Sequence, residues 1–164
     1  MKSLLLTISL ATAFALPNPA VAHEPGQHAM SNTVSPIDAA AAPAIAVVDA
    51  FAAALKAGDL KMAGSYLAQD VLILESGSAE HSRQEYLGGH ARHDAAFLKD
   101  ARIEVGKRIA RIDGDTVWVG TESELRTSSK GKPVALTSTE TMVLKRMLDG
   151  WRIVHIHWSS SPKR

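Results

Sequence analysis

The chain has 164 residues, a formal net charge of +1 and no cysteine. That length holds one domain with its own core and is too short for two typical ones. The lack of cysteine excludes disulfides, thiol chemistry and thiolate metal sites. Charges of both signs are balanced and no basic stripe runs along the chain, which argues against a nucleic-acid partner.

Lys2 precedes an apolar run from Leu4 to Leu16, and Ala20-Val21-Ala22 gives a small-x-small cleavage pattern. Residues 1–22 are therefore expected to be a secretory signal, too short for a membrane span and closed by Pro17 and Pro19. The mature chain would be periplasmic, or secreted to the medium, with no further segment entering a membrane. Residues 23–42 are rich in Ala, Pro, Ser, Gly and Asn without a hydrophobic period and read as a flexible linker. His23, with His28 and Met30 nearby, would give the mature N-terminus either a loose copper-binding tail or a merely solvated one.

The folded domain is expected over 43–160, with 161–164 as a tail. Pro43 suits the first turn of a helix, Val48, Phe51 and Leu55 form one apolar stripe, and Gly58 stops it. Asp59 caps a short second helix through Leu67. Val71 to Glu75 reads as a strand turned by Ser76-Gly77-Ser78, and 83 to about 99 as a third helix weakened by Gly88-Gly89. Strands follow over 102–112, 116–127 and 133–146, joined by tight turns at Asp113-Gly114-Asp115 and Lys130-Gly131-Lys132. Asp149-Gly150 turns into a last strand through Ser160. Helices first and an antiparallel meander last, without βαβ alternation, mean α+β.

The last strand, Gly150-Trp151-Arg152-Ile153-Val154-His155-Ile156-His157-Trp158, carries the main functional signal. At i, i+2 on a strand, His155 and His157 share one face, roughly 7 Å apart. Three readings stand for such a pair: a polar or catalytic pocket, a metal chelate completed by His90 or Glu75, or hydrogen-bonded histidines of a core or interface. On a continuous third helix, Tyr86, His90, His93 and Phe97 share a face, which would aim Tyr86 and His90 at the same place. His93, beside Arg92 and Asp94, reads as the solvent edge. Glu75 ends an apolar strand, where a buried carboxylate would have a raised pKa. Glu122, Glu124 and Glu140 lie on adjacent strands, where Glu122 and Glu124 read as surface partners of Arg126 or Lys145.

This order of elements, with Ala57-Gly58-Asp59 before the second helix and Gly150-Trp151-Arg152-Ile153 opening the last strand, resembles the nuclear transport factor 2-like superfamily. Within it the chain is most similar to exported SnoaL-like proteins, through Ser82-Arg83-Gln84-Glu85-Tyr86 and His90. His155-Ile156-His157 followed by Ser159 also resembles the last strand of the association domain of calmodulin-dependent kinases. The resemblance implies a cone: three N-terminal helices packed in the concave face of a strongly curved, mainly antiparallel sheet, with a pocket inside and a homodimer formed through the outer face. It also implies a small-molecule ligand and no cofactor. Steroid isomerases of this fold need a tyrosine paired with acidic groups, and no acid can be placed beside Tyr66 or Tyr86 from the sequence.

The resulting expectation is a small, partly apolar ligand met by Tyr86, His90, His155 and His157 as polar or catalytic contacts, with Glu75 and Trp151 as further ligand contacts. Any chemistry would be cofactor-free proton transfer of isomerase or dehydratase type. Two alternatives stand beside it: a periplasmic metal binder built on the His-x-His pair, and a dimeric assembly module without catalysis.

Overall fold

The computed structural model describes residues 37, 39–129 and 131–163. The expected signal, most of the linker and the His23 tail lie outside the described residues. The folded part begins slightly earlier than Pro43, with a 3-10 turn at Ala39–Ala41 leading into helix α1, Ala42–Ala57. By length and composition alone, Ala39–Ala57 is apolar enough to cross a membrane. Its Ala44, Val48, Phe51, Ala54 and Leu55 are instead buried in the domain core. Gly58 ends α1 in the left-handed region (φ 76°), where its N–H reaches the carbonyls of Ala54 and Leu55. Asp59 then caps α2, Leu60–Tyr66, by accepting the Met62 N–H at 2.9 Å.

Among the described residues two further helices follow, α3, Arg83–Gly88, and α4, Ala91–Leu98. Ser82 caps α3 by accepting the Glu85 N–H, and Glu85 returns a bond to the His81 N–H. The single third helix expected over 83–99 is broken at Gly89, whose φ of −119° and ψ of −104° are not helical. The break re-phases everything after it: α4 turns Ala91, Asp94, Ala95 and Leu98 toward the interior, leaving His90 and His93 exposed.

Among the described residues, six strands form one curved, unclosed sheet: β1 Leu67–Glu75, β2 Ser78–Glu80, β3 Arg102–Asp113, β4 Thr116–Ser129, β5 Lys132–Met147 and β6 Gly150–Pro162. Their spatial order is β2-β1-β6-β5-β4-β3, antiparallel throughout except for the parallel β1–β6 pair. The helices pack on the concave face, giving the cone-shaped α+β arrangement. There Val48, Phe51 and Leu55 meet Val117, Val119, Met142, Leu144, Ile153 and Ile156, all buried.

Two register shifts decide which side chains look inward. On β6, Leu144 pairs with Ile153 but Val143 with His155, so Val154 is an extra residue. Such a bulge exchanges the faces beyond it. Trp151 and Ile153 are buried before it, Ile156 and Trp158 turn inward after it, and His155 and His157 are sent to the outer face. On β3 the shift falls at Gly106, between Val105 and Lys107, and it brings Arg108 inward opposite Thr121.

Candidate functional site

Between α1, α4 and the concave face lies a cavity of about 390 Å³, within the size range of small-molecule sites. Its upper walls are apolar, formed by Phe97, Leu98, Ile103, Val105, Leu125 and Leu136. Its floor is a row of residues paired directly across five neighbouring strands. Glu75 of β1 faces Trp158 of β6, Trp158 faces Glu140 of β5, Glu140 faces Thr121 of β4, and Thr121 faces Arg108 of β3. All five line the cavity.

Glu140 is the central acid of this row. The Trp158 indole N–H donates to its Oε2 at 2.8 Å. Burial raises its pKa, opposed by the Trp158 bond, the nearby Arg108 charge and a bond from Thr121. Arg108 is held from two sides: Nη1 donates to Asp49 of α1 at 2.7 Å, and Nε donates to Thr121 Oγ1 at 3.2 Å. Among the described residues its Nη2 makes no hydrogen bond.

A second polar group lies beyond Trp158. Asp94 of α4 lines the cavity and accepts the Tyr86 hydroxyl at 2.9 Å. Burial, first, raises the pKa of Asp94, and burial followed by the Asp94 charge raises that of Glu75. The Tyr86 hydroxyl is pushed far up by burial and by Asp94. Its ring is fully buried, 6.2 Å from the Trp158 ring, while Phe51 stacks on Trp158 at 6.4 Å. His90 sits at the outer edge with Nδ1 against the buried Glu80 carboxylate, which raises the histidine's pKa through their hydrogen bond and charge.

The expected site residues therefore separate. Glu75 lines the cavity. Tyr86 touches it only through Asp94, supplying the tyrosine–acid pair that the sequence did not reveal. His90 stands outside the lining, near enough to lower the pKa of Glu75. His155 and His157 do share a face, but it is the outer one, where His155 Nδ1 lies 2.9 Å from the Leu72 carbonyl oxygen. Trp151 is buried away from the cavity beneath the Arg146 guanidinium, 4.7 Å from its ring centre. No group of three metal-ligating side chains converges among the described residues, so the His-x-His chelate has no third ligand there.

Sequence reasoning missed Glu140, Asp94, Arg108 and Trp158. A signal existed for Arg108, since Gly106 within a strand marks a bulge. For Asp94 the signal was Gly88-Gly89, read as a weakness and not as a full break.

The SnoaL-like domain family matches residues 45–162. A ketosteroid isomerase candidate from Shewanella frigidimarina NCIMB 400 is 36% identical, with a TM-score of 0.67 covering 70% of this chain and 92% of that one. A dehydratase candidate of the nuclear transport factor 2-like family from Streptomyces avermitilis is 18% identical, with a TM-score of 0.63 over 74% of this chain and 95% of that one. The S. rosetta CaMKII hub is 17% identical, with a TM-score of 0.65 over 73% and 95%. At that identity the last two share the fold alone. Among curated proteins there is no significant match. With the match spanning nearly the whole folded part, the chain belongs to the SnoaL-like domain family and has the nuclear transport factor 2-like fold.

Proposed function

We propose that the cavity binds a small, partly apolar carbonyl compound and moves a proton within it, without a cofactor. The observation that carries this reading is Glu140: a carboxyl on the floor of a largely apolar cavity, fixed by the Trp158 N–H and raised in pKa by burial. A buried carboxyl with a raised pKa at a cavity wall is suited to general acid–base work. As base it takes a proton from the carbon beside the carbonyl, and the electron pair moves onto the carbonyl oxygen. Arg108, pinned by Asp49 and Thr121, offers its remaining amine to that developing charge. Returning the proton to a different carbon completes an isomerisation; delivering it to a leaving hydroxyl completes a dehydration. The Shewanella relative's assignment supports the first.

The test is isomerisation of a panel of β,γ-unsaturated ketones, followed by the absorbance of the conjugated product. Wild type should accelerate at least one member, and Glu140→Gln should lower kcat/KM about 100-fold or more. Equal activity in Glu140→Gln would refute the assignment.

We also read the outer face as the surface through which two chains pair. Trp118 is 42% exposed there, among Lys107, Ile109, Glu122 and Thr139. The leader pattern supports export to the periplasm; full-length chain accumulating uncleaved in the cytosol would count against it.

A further inference from the structure

One wall of the cavity is weakly held. Asp94, Phe97 and Leu98 of α4 line it, yet α4 has only eight residues, and those it buries are Ala91 and Ala95. Each contributes a single methyl, where α1 buries Val48, Phe51 and Leu55, so α4 gains far less from apolar burial. It is joined to α3 through Gly88-Gly89, both exposed, and a Cβ at Gly88 would meet nothing within 4 Å. α3 itself is anchored by the fully buried Tyr86. A short helix with little buried apolar surface, hung on an exposed glycine pair, belongs to the low-stability end of a fold.

Two polar pins hold α4 in place. One is the Tyr86 hydroxyl on Asp94. The other is His90, at the start of α4, with Nδ1 against Oε1 of Glu80; that acid has 7% of its side chain exposed and no other hydrogen bond among the described residues. Glu80 of β2 pairs with Ile73, and Ser78 with Glu75, so the two glutamates are diagonal neighbours on one face of the β1–β2 pair. Asp94 lies one helical turn beyond His90. Acids from β1, β2 and α4 thus face one imidazole. Nearby, His81 and Glu85 face each other at 3.9 Å, and His93 acts on Asp94. Protonated, His90 ties α4 to the sheet edge. Neutral, it leaves Asp94 of α4 repelled by Glu75 and Glu80. Its hydrogen bond to Glu80, then the Glu80 charge, holds the His90 pKa above the ordinary 6.5. The attraction is therefore complete below the ordinary value and lost as pH rises through the raised one.

Resting on the reading of the cavity as a ligand site, we propose that α4 is a hinged wall, turning at Gly88-Gly89 and latched by His90 on Glu80, so that loss of the His90 proton admits the ligand. The device governs entry and leaves the chemistry at Glu140 and Arg108 untouched, since neither His90 nor Glu80 lines the cavity.

Amide hydrogen exchange of the full folded protein, expressed as protection relative to α1 at the same pH, tests the latch without a ligand. Protection of residues 91–98 in wild type should fall about tenfold or more between acid solution (about pH 5.5) and alkaline solution (about pH 8.5). His90→Gln should give low protection at both, and His90→Arg, whose charge does not titrate there, high protection at both. Glu80→Gln should match His90→Gln and serves if that variant does not fold. Stopped-flow uptake of N-phenyl-1-naphthylamine, a neutral apolar fluorophore, should be faster in wild type at the alkaline end and equally fast at both ends in His90→Gln. Wild-type protection of α4 that does not change with pH, or the same fall in His90→Gln or His90→Arg, would overturn the latch. Uptake that does not follow protection, including none at either pH, would overturn the gate. Neither result touches the reading of Glu140, which its own ketone assay decides.

Discussion

Replacing Glu140 by glutamine probes the electrostatics of the cavity floor without needing the substrate. The amide keeps an oxygen for the Trp158 N–H, and its NH₂ can donate to Thr121 Oγ1, which has a second lone pair beyond the one Arg108 uses. What changes is ionisation. Because burial raises the folded-state pKa of Glu140 above the ordinary 4.5, the native state holds this proton longer than the unfolded chain does. Wild-type stability must therefore fall as pH rises from the ordinary carboxylate range through the folded value, and stay lowered above it. Each pK unit of that rise is worth about 1.4 kcal/mol, so the glutamine variant should gain stability relative to wild type between pH 4 and pH 8 by about that amount per unit. In a domain of this size that is a Tm shift of a few degrees. Urea unfolding monitored by tryptophan fluorescence at half-unit pH steps gives the difference curve. A flat difference, or one that falls with pH, would refute the claim that burial outweighs the Trp158, Arg108 and Thr121 interactions at Glu140.

Deleting Val154 removes the extra residue of β6 and should cost at least about 3 kcal/mol, read as a drop in urea midpoint. Ile156 and Trp158 would be turned outward, and burying one such side chain is worth about 1.5–3 kcal/mol; a loss under 1 kcal/mol would mean the bulge does not set the facing. Trp118→Arg should convert a dimeric wild type to monomer in sedimentation velocity, and an unchanged sedimentation coefficient would remove the outer face as the pairing surface.

The fold was readable because its signals are local and redundant. Gly58 and Asp59 punctuate the first two helices, and the Asp113-Gly114-Asp115 and Asp149-Gly150 turns separate strands long enough to be unmistakable. The observed β3, β4, β5 and β6 differ from the expected spans by no more than two residues at either end. The short β2 went unseen because Ser78–Glu80 has three residues and no alternation to detect. The site was far less legible, and the reason is parity. On β6, Trp151 and Ile153 are buried on the same alternation as His155 and His157, so a strict period of two places the histidines inside. One unpaired residue reverses the result, and Val154, a β-branched residue after Ile153 like any other in a strand, gives no composition signal. Glu140 illustrates the converse: flanked by Thr139 and Thr141 it reads as ordinary strand surface, and only its pairing with Trp158 and Thr121 reveals the cavity floor.

The bulge at Val154 bears on how such a domain changes over time. Substitution alters one wall position of the cavity, but gain or loss of a single residue in β6 exchanges every later inward side chain for its outward neighbour at once. A histidine-lined interior and a tryptophan-lined interior are therefore one codon of length apart on the same strand. Related chains that differ by such an indel should be compared by register before alignment columns are taken as equivalent positions.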